Sequence, residues 1–313
     1  TLLMVNQKEG FDCPGCAWPD PNHRTSFEFC ENGAKAVADE AMKDRVNPNF
    51  FKRYDVQTLL KKSDYWLNKQ GRISYPMILK SGSSNYEPIA WNDAFDLISE
   101  SIKSMEKPTR GVYYTSGRTS NEAAFLYQAL VRSLGTNNLP DCSNMCHESS
   151  GKALGTTIGI GKGTVHLEDF NKSDLIIVVG QNPGTNHPRM LTALRDAKRN
   201  GCKIVNINPL PETGLSRFKH PQEYMELDLT STQLSDMHLQ VKIGGDAALF
   251  QGVIKHLLDT NKFDNNFIAK YTIQFDQLKL HMDGFSWKQA IQDSGISKEE
   301  IIAFADMCGS SNA

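Results

Sequence analysis

The sequence predicts an α/β protein: a small, loop-rich N-terminal segment with thiolate metal ligands, then Rossmann-like αβα domains on parallel sheets. Three observations predict it. Leu175-Ile176-Ile177-Val178-Val179 is an apolar run between Asp174 and Gly180 with no alternation, as expected for a parallel strand covered on both faces. A helical pattern and a second strand follow it at the spacing of a right-handed βαβ unit. Residues 1–80, rich in Pro, Asn and aromatics, carry only short periodic segments, which is how a compact unit stapled by a metal reads.

In the first segment, Cys13-Pro14-Gly15-Cys16 sets two cysteines on one tight turn that Gly15 lets curl, and Cys30 follows just before Glu31-Asn32-Gly33. Three nearby thiolates could hold iron–sulfur or zinc. A fourth ligand would come from His23, from a cysteine distant in sequence, or from nothing. Around residue 90 the pattern turns α/β. Asn92 can cap a helix that starts at Trp91 and runs through Ile98. Residues 111–115 read as a short strand and 116–118 as a turn. Residues 119–134 form a helix that Gly135 ends. After Leu175–Val179, residues 180–184 are the turn. Residues 188–200 are a helix stopped by Gly201, and 203–208 the next strand, ended by Pro209. Residues 225–229 are the expected third strand. Asp246, behind Gly244-Gly245, caps an amphipathic helix to Leu258. The pattern divides the chain at 1–80, 81–140 and 141–313.

A chain of 313 residues has room for two domains and a buried core. Its net charge of −2 gives no reason to expect nucleic acid or an anionic membrane as partner. Its longest apolar run is far too short to span a bilayer. Thr1-Leu2-Leu3-Met4-Val5 has no charged n-region and no cleavage site, so no signal peptide is expected, and the start is read as trimmed. Seven cysteines, an odd number, argue against full disulfide pairing and fit a cytoplasmic chain. Cys202 and Cys308 read as small buried hydrophobes.

Two further constellations carry chemistry. In Asp141-Cys142-Ser143-Asn144-Met145-Cys146-His147, a thiolate able to bind metal stands beside an imidazole able to exchange protons at neutral pH. The other reading is a Cys-His pair at a helix start with no metal. Gly180-Gln181-Asn182-Pro183-Gly184-Thr185-Asn186-His187-Pro188-Arg189 sits at a strand's carboxyl end, where open α/β sheets bind ligands. Its amides and the next helix N-terminus favour phosphate, which Arg189 could pair bidentately. No G-x-G-x-x-G follows the strand, and Gly159-Ile160-Gly161-Lys162-Gly163 precedes it without a Walker A pattern. A common nicotinamide or nucleoside triphosphate site is therefore disfavoured. His220, His238, His256 and His281 have no partner spacing and read as surface or capping residues.

These residues together resemble the molybdopterin-dependent oxidoreductases of the dimethyl sulfoxide reductase superfamily, in the formate-dehydrogenase-like branch. The likeness spans essentially the whole chain. It is carried by Gly10 to Pro19, Cys30 to Lys35, Thr115 to Glu122, Cys142 to Glu148, Gly161-Lys162-Gly163-Thr164, Asn182 to Leu191 and Asn208-Pro209. The resemblance implies a 4Fe–4S cluster on Cys13, Cys16 and Cys30 and a molybdenum bis(molybdopterin guanine dinucleotide) cofactor. It makes Cys146 the molybdenum ligand and His147 the active-site histidine after it. It assigns the Asn182–His187 loop, with Asn182, Pro183, Thr185 and His187, and Asn208-Pro209 to one guanine dinucleotide; Gly180 and Arg189, from the strand-end reading above, are counted with them as cofactor-binding residues. Asp246 stands close to the same site. It further implies a small-molecule substrate, formate by default, and an electron-transfer partner protein. The sequence departs from the family in three ways. A cluster cysteine is missing between Cys16 and Cys30. Asn32 stands where a lysine is common, with Lys35 nearby. The family is also much longer, so the chain is expected to be an N-terminal part that lacks the C-terminal β-barrel and an arginine central to formate chemistry. The rival readings are a non-catalytic metal- or nucleotide-binding module and a zinc-stapled protein with a Rossmann-like nucleotide site.

Overall fold

Leu175–Val179 forms β1, Lys203–Ile207 β2 and Met237–Leu239 β3, and the three make a parallel sheet in the order β1-β2-β3. The computed structural model describes residues 1–16, 18–115, 119–140, 147–220 and 231–311. The helix between β1 and β2, Pro188–Arg199 (α1), starts with a proline at its first position, where no amide donor is needed. Its Met190, Leu191, Leu194 and Ala197 are buried, the spacing of one helical face. Gly201, at φ 93°, turns the chain back into β2.

Alternation along β2 separates the two faces of the sheet. Ile204 joins Val178, Leu191, Leu194, Leu215 and Leu234 on the α1 side. Val205 and Ile207 join Leu239 and Val241 on the other, under Leu249 and Val253 of Asp246–Asp259 (α2) and Ile301, Phe304 and Ala305 of Lys298–Gly309 (α3). Helices therefore lie on both faces of a parallel sheet, the αβα layering expected. Each fully buried Leu or Ile contributes about 1.5–3 kcal/mol to holding these layers together. The α3 N-terminus is closed by a capping box between Ser297 and Glu300.

The chain divides into two compact units, Thr1–Ala34 with Val165–Ala313, and Lys35–Thr164. This grouping cuts across the expected 1–80 segment, because side chains of the first thirty-four residues pack and pair with the sheet unit. The Lys35–Thr164 unit holds an aromatic cluster of Phe50, Phe51, Tyr54, Trp66 and Tyr86. It also holds the helices Trp91–Lys103, Asn121–Ser133 and Glu148–Thr157.

Several local expectations change. The Trp91 helix is capped by Ala90 without a side-chain bond, so Asn92 lies inside it. Asp246 is the first helical residue, and Gly245 is the cap. Residues 111–115 are not a strand. They are held by single bonds, Tyr113 N–H to the Asn138 carbonyl and Asn138 Nδ2 to the carbonyls of Thr109 and Gly111, and no ladder forms among the described residues. The Asn121–Ser133 helix is as expected, with Ser120 accepting the Ala123 N–H as its cap. β1, at the edge of the sheet among the described residues, is not covered on both faces: Ile177 is 37% and Val179 44% exposed. Residues 116–118 and the expected strand at 225–229 lie outside the described residues. The third strand of the sheet is Met237–Leu239, whose short, mixed-polarity sequence carries no strand signal.

Candidate functional site

Cys13, Cys16 and Cys30 are all free thiols. Cys13 and Cys30 flank Gly33: a Cβ added there would lie 2.9 Å from Cys13 Sγ and 3.8 Å from Cys30 Sγ, so the position accepts only glycine without displacing sulfur. Backbone amides point at the sulfurs, Gly15 N–H at Cys13 Sγ (3.2 Å) and Gly33 N–H at Cys30 Sγ (3.4 Å). Burial pushes the Cys30 thiol above its ordinary range. The amides of Gly33 and Asn32 pull it down, and the nearby Cys16 and Glu31 push it up again. A glycine-lined pocket with amides directed at thiol sulfur suits a thiolate-bound metal or cluster. The three thiols gather without closing, however. Among the described residues no three His, Cys, Asp or Glu side chains stand at ligating spacing, and none offers a fourth ligand.

The second set lies at the carboxyl end of β1. Gly180, at φ 63°, turns the chain out of the strand, and its N–H still bonds the Ile207 carbonyl of β2 at 2.8 Å. Pro183 is buried at the first position of the short helix Pro183–Asn186, while Gly180, Thr185 and Asn186 are exposed. Gly184 and Gly214 touch so closely that a Cβ on Gly184 would meet Gly214 Cα at 2.6 Å. Asn182 Oδ1 is buried there with no hydrogen-bond partner, a side chain whose acceptor stands ready for a donor. His187 caps α1, and its Nδ1 lies 3.0 Å from Gln181 Nε2. Asn208 is buried, donates to the Gln181 carbonyl and accepts the Leu210 N–H. Open backbone and an unsatisfied buried amide at a strand's carboxyl end fit the edge of a dinucleotide. Asp246 stands in the first turn of α2.

Arg189 departs from expectation. Its two terminal nitrogens lie 2.8 Å from Asp20 Oδ1 and 2.8 Å from Glu28 Oε2. The fork that was to hold a phosphate is already filled by two carboxylates. Two of the histidines read as surface or capping also differ. His256 Nε2 bonds Asp306 at 2.9 Å. His238 Nδ1 bonds buried Asn206 in the register pair across β2 and β3. Cys202 is buried and Cys308 is half-buried against the α2–α3 core, as expected.

His147 is exposed and caps the helix Glu148–Thr157 with its carbonyl, which accepts the Gly151 N–H at 2.9 Å. Cys142 and Cys146 lie outside the described residues. Sequence reasoning missed Asn6, Asp20, Glu28, Trp18 and Gly214. Of these only Trp18, two residues beyond Cys16, carried a visible signal, as an aromatic in a cysteine loop.

The molybdopterin oxidoreductase family matches residues 72–296, and the chain belongs to that family. An uncharacterized oxidoreductase of Mycobacterium tuberculosis is 54% identical over 282 residues, which is 88% of this chain and 36% of the relative. Protein YdeP of Escherichia coli is 48% identical over 316 residues, 97% of this chain and 42% of YdeP. Formate dehydrogenase H of Escherichia coli is 27% identical over 241 residues, 75% of this chain and 31% of that enzyme. In fold, the chain is similar to acetylene hydratase from Pelobacter acetylenicus, with a TM-score of 0.56 at 20% identity over 89% of this chain and 33% of that one. The chain spans less than half the length of each of these relatives.

Proposed function

We propose that the full-length protein is a formate-dehydrogenase-like molybdopterin oxidoreductase that works on a small-molecule substrate and hands electrons to a partner protein. The family match across residues 72–296 carries this reading, and the thiol pocket around Gly33 supports it. In it, a bound molybdenum bis(molybdopterin guanine dinucleotide) supplies two-electron redox chemistry, and a 4Fe–4S cluster supplies one-electron exchange. Cys13, Cys16 and Cys30 hold the cluster. Cys146 supplies the thiolate for molybdenum, and His147 holds or releases a proton beside it. Gly180, Asn182, Pro183, Thr185, His187 and Asn208 bind the dinucleotide, with Asp246 near them. Arg189 is left out of that set because its guanidinium is already engaged. Division into an N-terminal cluster segment (1–80), a first αβα part (81–140) and a second αβα domain (141–313) belongs to the same reading, as does a cytoplasmic location. Among the described residues no helix is long and apolar enough to cross a membrane.

Metal analysis of anaerobically purified full-length protein tests the reading, followed by formate-dependent dye reduction. Iron and molybdenum together support it; zinc without iron overturns it in favour of a zinc-stapled nucleotide-binding protein. Cys146→Ser is expected to abolish turnover with the pterin retained, since the dinucleotide is held elsewhere. His147→Gln is expected to slow turnover about 10²–10⁴-fold with the metal in place. Normal turnover by Cys146→Ser removes the catalytic assignment.

A further inference from the structure

We infer that Arg189 is a positioning residue that latches the cysteine loop onto the sheet unit, and that Asn6 carries this tie to the backbone of Cys13. The links are continuous. Arg189, the second residue of α1, gives one terminal nitrogen to Asp20 and the other to Glu28, each at 2.8 Å. A planar guanidinium can serve two carboxylates at once in a way an ammonium cannot. The pair is largely desolvated, with the Glu28 side chain 8% and the Arg189 side chain 15% exposed. Glu28 also accepts the Thr25 N–H. Its backbone carbonyl accepts Asn6 Nδ2 at 2.6 Å, and Asn6 Oδ1 accepts the Cys13 N–H at 2.8 Å. A second route closes the ring: Asp20 pairs with Arg24, and Arg24 donates to the Asn6 carbonyl at 2.7 Å.

Asn6 sits at the junction of both routes. It is buried and holds φ 55°, a left-handed conformation that asparagine tolerates better than most residues. Apolar packing does little of this holding. Among the described residues of 1–34, Val5 is the one buried hydrophobic side chain. Trp18 adds a ring contact to Phe170 (5.7 Å between centroids) and to His187 (6.3 Å). The hold of the cysteine loop on the sheet unit therefore depends on a few specific polar links. Removing Arg189 leaves the Glu28 carboxylate buried without its cation.

The inference rests on the cluster reading above only where metal is measured, so two independent arms test it in the full-length protein. In the first, hydrogen exchange followed by mass spectrometry is compared for wild type, Arg189→Gln, Arg189→Lys and Asn6→Asp, the last keeping the Cys13 acceptor but losing the donor to Glu28. Peptides within residues 6–30 are expected to exchange about tenfold faster in Arg189→Gln and Asn6→Asp, with Arg189→Lys intermediate and β2 peptides unchanged. In the second, chelator-driven iron loss is expected to be about tenfold faster in Arg189→Gln, with an altered paramagnetic spectrum of the reduced cluster and partial return in Arg189→Lys. Wild-type exchange of residues 6–30 in Arg189→Gln overturns the latch. Equal acceleration of β2 also overturns it, since Arg189 would then act on the whole fold. If wild type holds no iron, the cluster reading fails and the exchange arm alone decides the latch.

Discussion

Residues 1–34 and the β1–β3 sheet belong to one compact unit, yet they are held by opposite means. In β2 four of five residues are buried, and both faces are packed by aliphatic side chains from α1, α2 and α3. In 1–34 the organising groups are Asn6, Asp20, Arg24 and Glu28, joined to one another and to Arg189 of α1 by short polar contacts. Apolar burial is additive and tolerant, because each side chain contributes area. A polar network is specific, because each lost partner strands another buried group. The sheet's hold is therefore spread over many side chains, whereas the loop's shape depends on particular atoms.

The sharpest way to break that contrast is Leu194→Ala, in the α1 side of the core. It should cost the sheet unit about 2–5 kcal/mol through lost contacts and a residual cavity, read by chemical denaturation. A loss under about 1 kcal/mol would show that the sheet is less dependent on area than the packing implies. Next is Gly214→Ala, whose Cβ would lie 2.3 Å from Asn182 Oδ1 and 2.9 Å from Gly184 Cα. Overpacking of this kind costs about 1–3 kcal/mol, and a lowered Tm with a shifted 180–187 loop is the expected result.

Gly33→Ala should separate the two regions. Its new methyl displaces Cys13 Sγ, so iron uptake by the apo-protein should fall while sheet stability stays within about 0.5 kcal/mol of wild type. Wild-type uptake by Gly33→Ala would remove the glycine pocket from the metal site. In wild type, uptake should also speed up as pH rises. The Cys30 thiol is held above its ordinary range by burial, and only its thiolate binds metal. A flat pH profile would exclude Cys30 as a ligand. The smallest effect is expected at Asp306→Asn. Lys262 and then His256 hold the Asp306 carboxyl below the usual carboxylate range. A depressed folded pKa adds stability above the unfolded value, and that stability is lost as pH falls through the folded one. The Tm gap between wild type and Asp306→Asn should therefore be small at neutral pH and vanish in acid.

The parallel strands β1 and β2, the α1 helix between them and the cysteine turn were legible because each is a local pattern. An apolar run, a proline at a helix start, a glycine after its end and two cysteines around Pro-Gly all act within a few residues. The strand expected at 111–115 failed because a strand is defined by a partner, and Val112 and Tyr114 are exposed with no ladder beside them. β3 was missed for the converse reason: Met237–Leu239 is a strand only because β2 lies alongside it.

By itself, the sequence determined the α/β class and the family, since these depend on composition and on motifs read within short windows. Only the tertiary structure decided what Arg189 does. From the sequence it is a cation at a helix N-terminus behind a phosphate-type loop. In the fold, Asp20 and Glu28 arrive from 169 and 161 residues away and occupy both of its terminal nitrogens. Chain separation hides such a pair from any local pattern. Once formed in a largely desolvated place, the pair is costly to break, because removing the guanidinium strands the buried Glu28 carboxylate.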